Sequence, residues 1–490
     1  MNVGFLRKCS VTYLLLPNLL FSAGWFKQPY ATILIVGFLY LLLLEYLKKD
    51  INENLSFKDV LYLIFFACVW TFFCGVDGLS TQTLDWLAHN SKFYDLYKNP
   101  WPNYFPEVDR ASCYYFGYYL VPAFVSKLSG KLLPSVMILW TALGFFLSLS
   151  WIFILIGRNK ILLFLMPFIR GIGQIIALIV AKLDIYHAQI AIINPSLRSI
   201  FQQSLFATNQ VIPALIVSGI VLYDCFFRKK TDESFLVIVI SFIWAVFPSM
   251  MLVLIFGGIF VNKYLIQLSP KDFFKVGSIH TYLIPGLLFI PVFIYFLSAD
   301  QISDQGFLWN FPSKKGLLFG YISGIVVDLI IFYIVIRLLN QEEFLYPSWF
   351  IVMLFLILLM LSTYYMGMFN DSFFRGSIPV YIIILTIGLR GINNSIKNRS
   401  WPSSPLFYGA GILITGLLAV QLTLETHFLK DNIIVNHYYP EKTEFTRFPY
   451  DTCANTYQTI KLSWGIKGAN EYLAAKNSIF EKYLSRKPVK

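Results

Sequence analysis

The chain has 490 residues, 57% hydrophobic and only 13% charged, with a mean hydropathy of +0.64. A charged share about half the usual quarter excludes an ordinary soluble domain. The net charge of +12 comes from Lys and Arg in short segments between apolar runs and in the tail. No aromatic-basic motif accompanies them, so nucleic acid is excluded as a partner. The basic balance fits attraction to membrane lipids and the positive-inside rule.

A bilayer core about 30 Å thick needs roughly 20 apolar residues per helix. Such runs recur near 11–26, 30–47, 57–75, 112–128, 133–157, 160–180, 207–226, 234–247, 249–262, 279–297, 316–338, 347–365, 374–391 and 404–422. Arg7 and Lys8 before the first run resemble a signal sequence. No soluble domain follows, so a retained first helix is expected. The runs 234–247 and 249–262 flank Pro248 and predict a hairpin or a broken helix. The run 160–180 holds Pro167, Arg170, Gly171 and Gly173. A mid-span Arg is costly unless it is paired or faces a cavity, so this run is expected to be re-entrant. That leaves about 13 crossings. From about 423 the chain is polar with scattered aromatics, which predicts a small soluble C-terminal piece on the outer face, 423–490, after a membrane domain, 1–422.

Orientation follows from the cations. Lys48, Lys49 and Lys58, then Arg228, Lys229 and Lys230, then Arg390, Lys397 and Arg399 belong on the cytoplasmic side. Loops 78–112, 184–206, 298–313 and 366–371 then lie outside. Counts from the two ends disagree by one crossing between 112 and 184. The six cysteines show neither CxxC nor metal spacing; Cys74 and Cys113 flank the first outer loop and are candidates for a pair. No HExxH, Asp-rich loop or GxxxxGK occurs, so neither a metal site nor nucleotide binding has a motif behind it.

Three polar clusters stand out. In "QTLDWLAHNSKFYDLYKNPWP" Asp85 and His89 share a helix face at i and i+4, with Asn90 and Asp95 beyond and Asp77 at the end of the preceding run. A half-desolvated carboxylate there suits proton abstraction from a hydroxyl; a solvated loop with interfacial Trp and Tyr anchors is the plainer reading. In "DIYHAQIAIINPSLRSIFQQSLFATNQVIPAL" Asp184, His187, Arg198, Gln202, Gln203, Asn209 and Gln210 precede or enter an apolar run. They line a polar cavity, or cap and cross-link helices. In "YYMGMFNDSFFRGSIPVY" Asn370 and Asp371 can cap a helix. Arg375, a turn further in, calls for a cavity, a carboxylate or a phosphate, snorkelling being the alternative.

"DWLAHNSKFYDLYKNPWP", "YYFGYYLVPAFVSKLSG", "LFATNQVIPALI" and "FNDSFFRGSIP", in that order, resemble segments of a bacterial envelope group within the GT-C superfamily of membrane glycosyltransferases. The resemblance implies an all-α polytopic fold with re-entrant or amphipathic outer-face helices. It implies transfer of a sugar from a polyprenyl-phosphate donor to a glycan or lipid acceptor of the cell envelope, with inversion. The site would face outward from the bacterial inner membrane. An acidic residue of outer loop 76–111 would be the base: Asp85, with Asp77 second. His89, Asn90, Asp95, Arg198, Gln210, Asn370, Asp371 and Arg375 are then candidate substrate-binding residues. No cofactor is implied. Paired acidic residues typical of this loop are replaced here by single Asp residues, which leaves the base open between the two. A polysaccharide polymerase or ligase, a flippase for lipid-linked sugars and an inert GT-C-like subunit are the competing readings.

Overall fold

Side-chain caps and prolines set where the helices begin. Asn2 accepts from the amides of Gly4 and Phe5 at the start of α1 (Val3–Trp25). Ser56 and Asp59 form a reciprocal cap on α3 (Phe57–Phe73). Pro134 opens α6 (Pro134–Leu155), and Ser199 caps α8 (Ile200–Leu222). These are the residue types that satisfy the free amides of a first turn.

The computed structural model describes residues 1–49, 51–80, 82–83, 85–171, 197–267, 279–300, 305–310, 321–340, 345–367, 370–397 and 453–486. The remaining helices in chain order are α2 (Tyr30–Leu47), α4 (Asp85–Lys98), α5 (Gly117–Ser129), α7 (Lys160–Leu165), α9 (Phe235–Ser241), α10 (Val246–Val261), α11 (Ile284–Phe296), α12 (Val327–Leu339), α13 (Ser348–Ser362), α14 (Asp371–Lys397) and α15 (Thr456–Asn470). Two short antiparallel pairs complete the described residues: β1 (Tyr104–Phe105) with β2 (Arg110–Ala111), and β3 (Gln305–Phe307) with β4 (Tyr364–Met366). The expected positions Asp184 and His187, the run 404–422 and the stretch 423–452 lie outside the described residues.

The protein is mostly helical. Among the described residues, five helical stretches are long and apolar enough to cross a membrane: Tyr30–Leu47, Pro134–Leu155, Ile200–Phe227, Val246–Gln267 and Asp371–Lys397. His280–Phe296 and Ser348–Ser362 are shorter apolar helices. Ile33, Val36, Leu43 and Leu47 of α2 and Leu265 and Ile266 beyond α10 are more than half exposed. A belt of bare aliphatic side chains this broad is stable against lipid, not water. The centre is α8, nearly all buried between α6, α10 and α14.

The loops gather at two opposite faces. At one face Asn2 bridges to Asn54, Arg158 pairs with Glu53 at 2.6 Å, Tyr223 donates to Glu53 at 2.7 Å, and Asn159 donates to Asn393 at 3.1 Å. Lys48 lies there too, 3.4 Å from Glu233. At the other face Phe26 bridges to Ser485, Ser112 to Leu473 and Ala299 to Ala474, and β3 joins β4. The cation-rich segments expected on one side thus share the first face. The described residues around 112, 298–300, 305–308 and 364–367 share the second.

Two runs behave differently from full crossings. The run at 112–128 becomes α5, only 13 residues or about 20 Å long. Its far end stays at the second face, where Lys127 donates to the Asn99 carbonyl at 2.6 Å and Tyr97 to that of Gly130 at 3.1 Å. Tyr118, Tyr119, Leu120 and Ala123 are apolar because they form a core beneath the polar loop, not because they face lipid. At its near end Gly117 donates to the Ile243 carbonyl at 2.8 Å, and a Cβ there would lie 2.8 Å from that oxygen. Among the described residues the run 112–128 thus begins and ends at the second face; the run 160–180, expected to be re-entrant, is described only as far as 171. The runs around Pro248 form a hairpin, broken at 242–245. Asp232 before α9 accepts from Lys263 at 2.9 Å and Tyr264 at 2.7 Å beyond α10, so both arms end at the first face.

Candidate functional site

α8 begins with an interruption. Ala207 sits at φ −146°, ψ 52°, which frees carbonyls of the preceding turn. The Leu205 carbonyl accepts from Trp86 Nε1 and Thr83 Oγ1, both at 3.1 Å. The Phe206 carbonyl takes His89 Nε2 at 2.9 Å. The α4 face carrying Trp86 and His89 is thereby fastened to the break, and between them opens a cleft of about 50 Å³. Asp85, His89, Lys92, Tyr114, Tyr115, Asn209, Gln210, Asp371 and Arg375 line it, together with Trp464, Glu471 and Tyr472 from the C-terminal segment.

Arg375 organises the charges. Its guanidinium lies 3.5 Å from Asp371 and 3.9 Å from Asp85, and donates to Gln203 at 3.3 Å, while its Nε has no hydrogen-bond partner among the described residues. Gln203 donates to the Phe374 carbonyl at 2.9 Å and is itself held. Burial pushes the Asp85 carboxyl above its ordinary range; Arg375 pulls against this and Asp371 adds to it. Asp85 is thus a carboxylate readily protonated, facing open space beside a fixed cation.

His89 is not a second cation. A carbonyl only accepts, so Nε2 carries the proton to Phe206, and Nδ1 accepts from the Tyr119 hydroxyl. Both nitrogens are engaged in the neutral ring, and burial depresses its pKa to about 3. His89 therefore holds the α8 break open and contributes no charge to the cleft. The other basic side chain of the cleft is Lys92. Its ammonium lies 3.8 Å from the Tyr114 ring centroid, 4.9 Å from that of Tyr472 and 5.7 Å from that of Tyr119. Burial drives its pKa well below the ordinary value, with Asp85 pulling it back up.

The other expected residues hold the frame. Asn90 donates to Gln82, which donates to the Gly75 carbonyl at 2.7 Å. Asp95 accepts from the Thr456 amide at 2.7 Å and so caps α15. Asn370, at φ 55°, turns the chain into α14 and accepts from Ser372. Arg198 stacks on Phe374, 3.8 Å from its centroid, behind Arg375. Asp77, buried at φ 50° after α3, is not among the cleft-lining residues; burial alone raises its pKa to about 7. Cys74 and Cys113 are free thiols. Among the described residues no group of three His, Cys, Asp or Glu side chains converges as a metal site.

Five of the sequence candidates thus meet in one cleft: Asp85, His89, Gln210, Asp371 and Arg375. Lys92 was missed although 85, 89 and 92 form one helical stripe. Trp464, Glu471 and Tyr472 carried no signal, because nothing local ties them to α4. No family model, curated protein or solved structure matches the chain.

Proposed function

We propose that the protein is a membrane glycosyltransferase with a GT-C-like plan, moving a sugar from a polyprenyl-phosphate donor to a glycan or lipid acceptor of the cell envelope. The observation that carries this reading is the meeting of Asp85, Asp371, Arg375 and Lys92 in one cleft at the end of a belt of apolar helices. Asp85, kept easily protonated by burial, takes the proton of an acceptor hydroxyl. The hydroxyl attacks the anomeric carbon from the face opposite the leaving phosphate, which inverts configuration through an oxocarbenium-like transition state. Arg375 and Lys92 face the negative charge that grows on the phosphate. Donor and acceptor enter from the side of the cleft, and the apolar helices accommodate the polyprenyl chain.

The cleft face is assigned to the outside of a bacterial inner membrane, because Lys48, Arg228, Lys230 and Lys397 belong to the opposite face. In this reading α5 and the α9–α10 hairpin, both of which return to the face they leave, are not counted among the about 13 crossings expected from hydropathy.

The test is turnover of polyprenyl-phosphate sugars by the full chain in proteoliposomes. Asp85→Asn is expected to lose about 10²- to 10⁴-fold in transfer with an unchanged unfolding midpoint. Wild-type turnover by Asp85→Asn overturns the assignment of the base. Movement of intact lipid-linked sugar between leaflets without transfer overturns the enzyme reading in favour of a flippase.

A further inference from the structure

The cleft holds a polar pair that the proposed chemistry does not use. Asn209 is fully buried, and neither its Oδ1 nor its Nδ2 finds a hydrogen-bond partner among the described residues. Beside it Gln210 donates through Nε2 to the Tyr115 hydroxyl at 2.8 Å, yet its Oε1 has none. Both side chains line the cleft. Buried carboxamides without partners are rare, because losing water without a replacement bond costs as much as a broken hydrogen bond. The break at Ala207, with His89, Trp86 and Thr83 holding its carbonyls, places these two residues at the cleft wall instead of in a continuous helix.

The unmet valences describe a ligand. Asn209 offers an acceptor oxygen and an NH2 group side by side in one plane. Gln210 offers a further acceptor and one N–H, its other N–H being engaged by Tyr115. A phosphate or carboxylate has only acceptors at neutral pH and would meet Oδ1 and Oε1 unfavourably. A secondary amide in the trans form points its N–H and C=O in opposite directions and cannot satisfy both ends of one carboxamide. Two neighbouring hydroxyls on a ring can: one donates to Oδ1, the other accepts from Nδ2, and a third donates to Gln210 Oε1. Trp464 on the cleft wall adds an apolar ring against which the C–H face of such a ring can lie.

We propose that Asn209 and Gln210 form a vicinal-diol subsite that selects the sugar ring, favouring a hexopyranosyl group with two adjacent free hydroxyls over deoxy or acetamido sugars at those positions. This rests on the glycosyltransferase reading and names the part of the cleft that decides its substrate. A buried hydrogen-bonding site rejects an analogue lacking its partner far more strongly than an apolar pocket rejects an extra group. Asn209 is thus a specificity residue, separate from the Asp85–Arg375 centre.

The experiment measures binding, not turnover. Methyl hexopyranosides of the gluco, manno and galacto series, each with its 2-, 3- and 4-monodeoxy analogues, are titrated onto the full-length protein in detergent by saturation-transfer NMR. At least one parent glycoside is expected to bind, with tenfold or greater weakening on removal of either of two adjacent hydroxyls. Asn209→Leu, of similar volume, is expected to bind parent and deoxy forms alike. It should also raise the unfolding midpoint, because the buried polar atoms without partners are gone. Asp77→Asn, away from the cleft, serves as the control and should bind as wild type. Asn209→Leu that unfolds earlier and still discriminates overturns the inference and makes Asn209 a structural residue. Failure of the wild type to bind any of the glycosides overturns it as well. The glycosyltransferase reading is judged apart from this, by turnover of Asp85→Asn: loss of discrimination at position 209 with full Asp85→Asn turnover leaves the diol subsite standing and removes the base, and the converse result leaves the enzyme standing without this subsite.

Discussion

The two faces of the molecule each carry a buried arginine between two carboxylates, and they use it differently. At the first face Arg7 donates from Nε to Glu45, from Nη1 to Asp224 and from Nη2 to the Glu233 carbonyl. Lys48 adds a 2.6 Å bond to Glu45 and Arg228 a 2.9 Å bond to Asp224. Every member is nearly sealed from solvent or held by a second ion. At the cleft face Arg375 stands 3.3 to 3.9 Å from its partners, and Asp85 and Asp371 keep about a quarter of their side-chain surface open. The first network is closed and locks α1 to α2 and to the end of α8. The second has the same composition with unfilled valences and a cavity in front of it. Saturation, not residue type, separates a structural ion network from a site that waits for a ligand.

That contrast can be broken most forcefully by removing the two arginines in turn. Arg7→Met strands Glu45 and Asp224 in a dry interior and is expected to cost about 3–5 kcal/mol, read as a drop in the unfolding midpoint in detergent. Arg375→Met should cost less than about half as much, since its carboxylates are partly solvated, while abolishing transfer. Equal destabilisation by both variants would collapse the distinction.

The pH dependence of transfer sharpens it next. Asp85 titrates above the ordinary carboxylate value of 3.8 and Lys92 below the ordinary lysine value of 10.5. A carboxylate base and an ammonium electrophile then give a bell, its acid limb above 3.8 and its basic limb below 10.5. Lys92→Met is expected to flatten the basic limb and lower the rate about tenfold to a hundredfold.

A smaller effect belongs to the contact that brings the C-terminal segment to the cleft. Asp95 has a folded pKa of about 7 against an ordinary 3.8, raised chiefly by burial. The folded state therefore favours the protonated carboxyl, with Oδ2 accepting from the Thr456 amide. Its contribution to docking α15 is full below pH 3.8 and is lost as pH rises towards about 7. Protection factors across Thr456–Asn470, corrected for the intrinsic exchange rate, should be lower at pH 8 than at pH 5, and Asp95→Asn should remove the difference. The smallest change is expected from Asp77→Asn. Asn tolerates the left-handed backbone at φ 50°, and the variant should transfer at the wild-type rate. It should be more stable than the wild type at pH 7 and equal to it below pH 3.8, because a buried carboxyl with a raised pKa weakens the fold only where the unfolded chain ionises.

Much of the site was legible because its signals are local. The i, i+4 spacing of Asp85 and His89 held as a helix, and Arg375 one turn inside an apolar run did require a cavity and carboxylates. Asn209 and Gln210 stood out as amides entering a membrane helix. What was not legible depends on neighbours far along the chain. Asp95 and Thr456 are 361 residues apart, and no local pattern predicts that they meet. His89 read as a candidate substrate-binding residue, but Phe206 and Tyr119 occupy both its nitrogens. The run at 112–128 read as a crossing because a core helix under a loop and a helix in lipid share the same apolar composition.

The sequence by itself determined the class of molecule: hydropathy and charge add over residues, and their sum already gives a mostly helical, apolar chain with helices long enough to cross a membrane. It also determined several helix starts, because a cap or an N-terminal proline acts within one turn. Only the tertiary structure decided which polar residues are satisfied and which are not. Satisfaction is a property of a group and the partners that surround it, and in this chain those partners are gathered from α4, the break in α8, the start of α14 and the C-terminal helix.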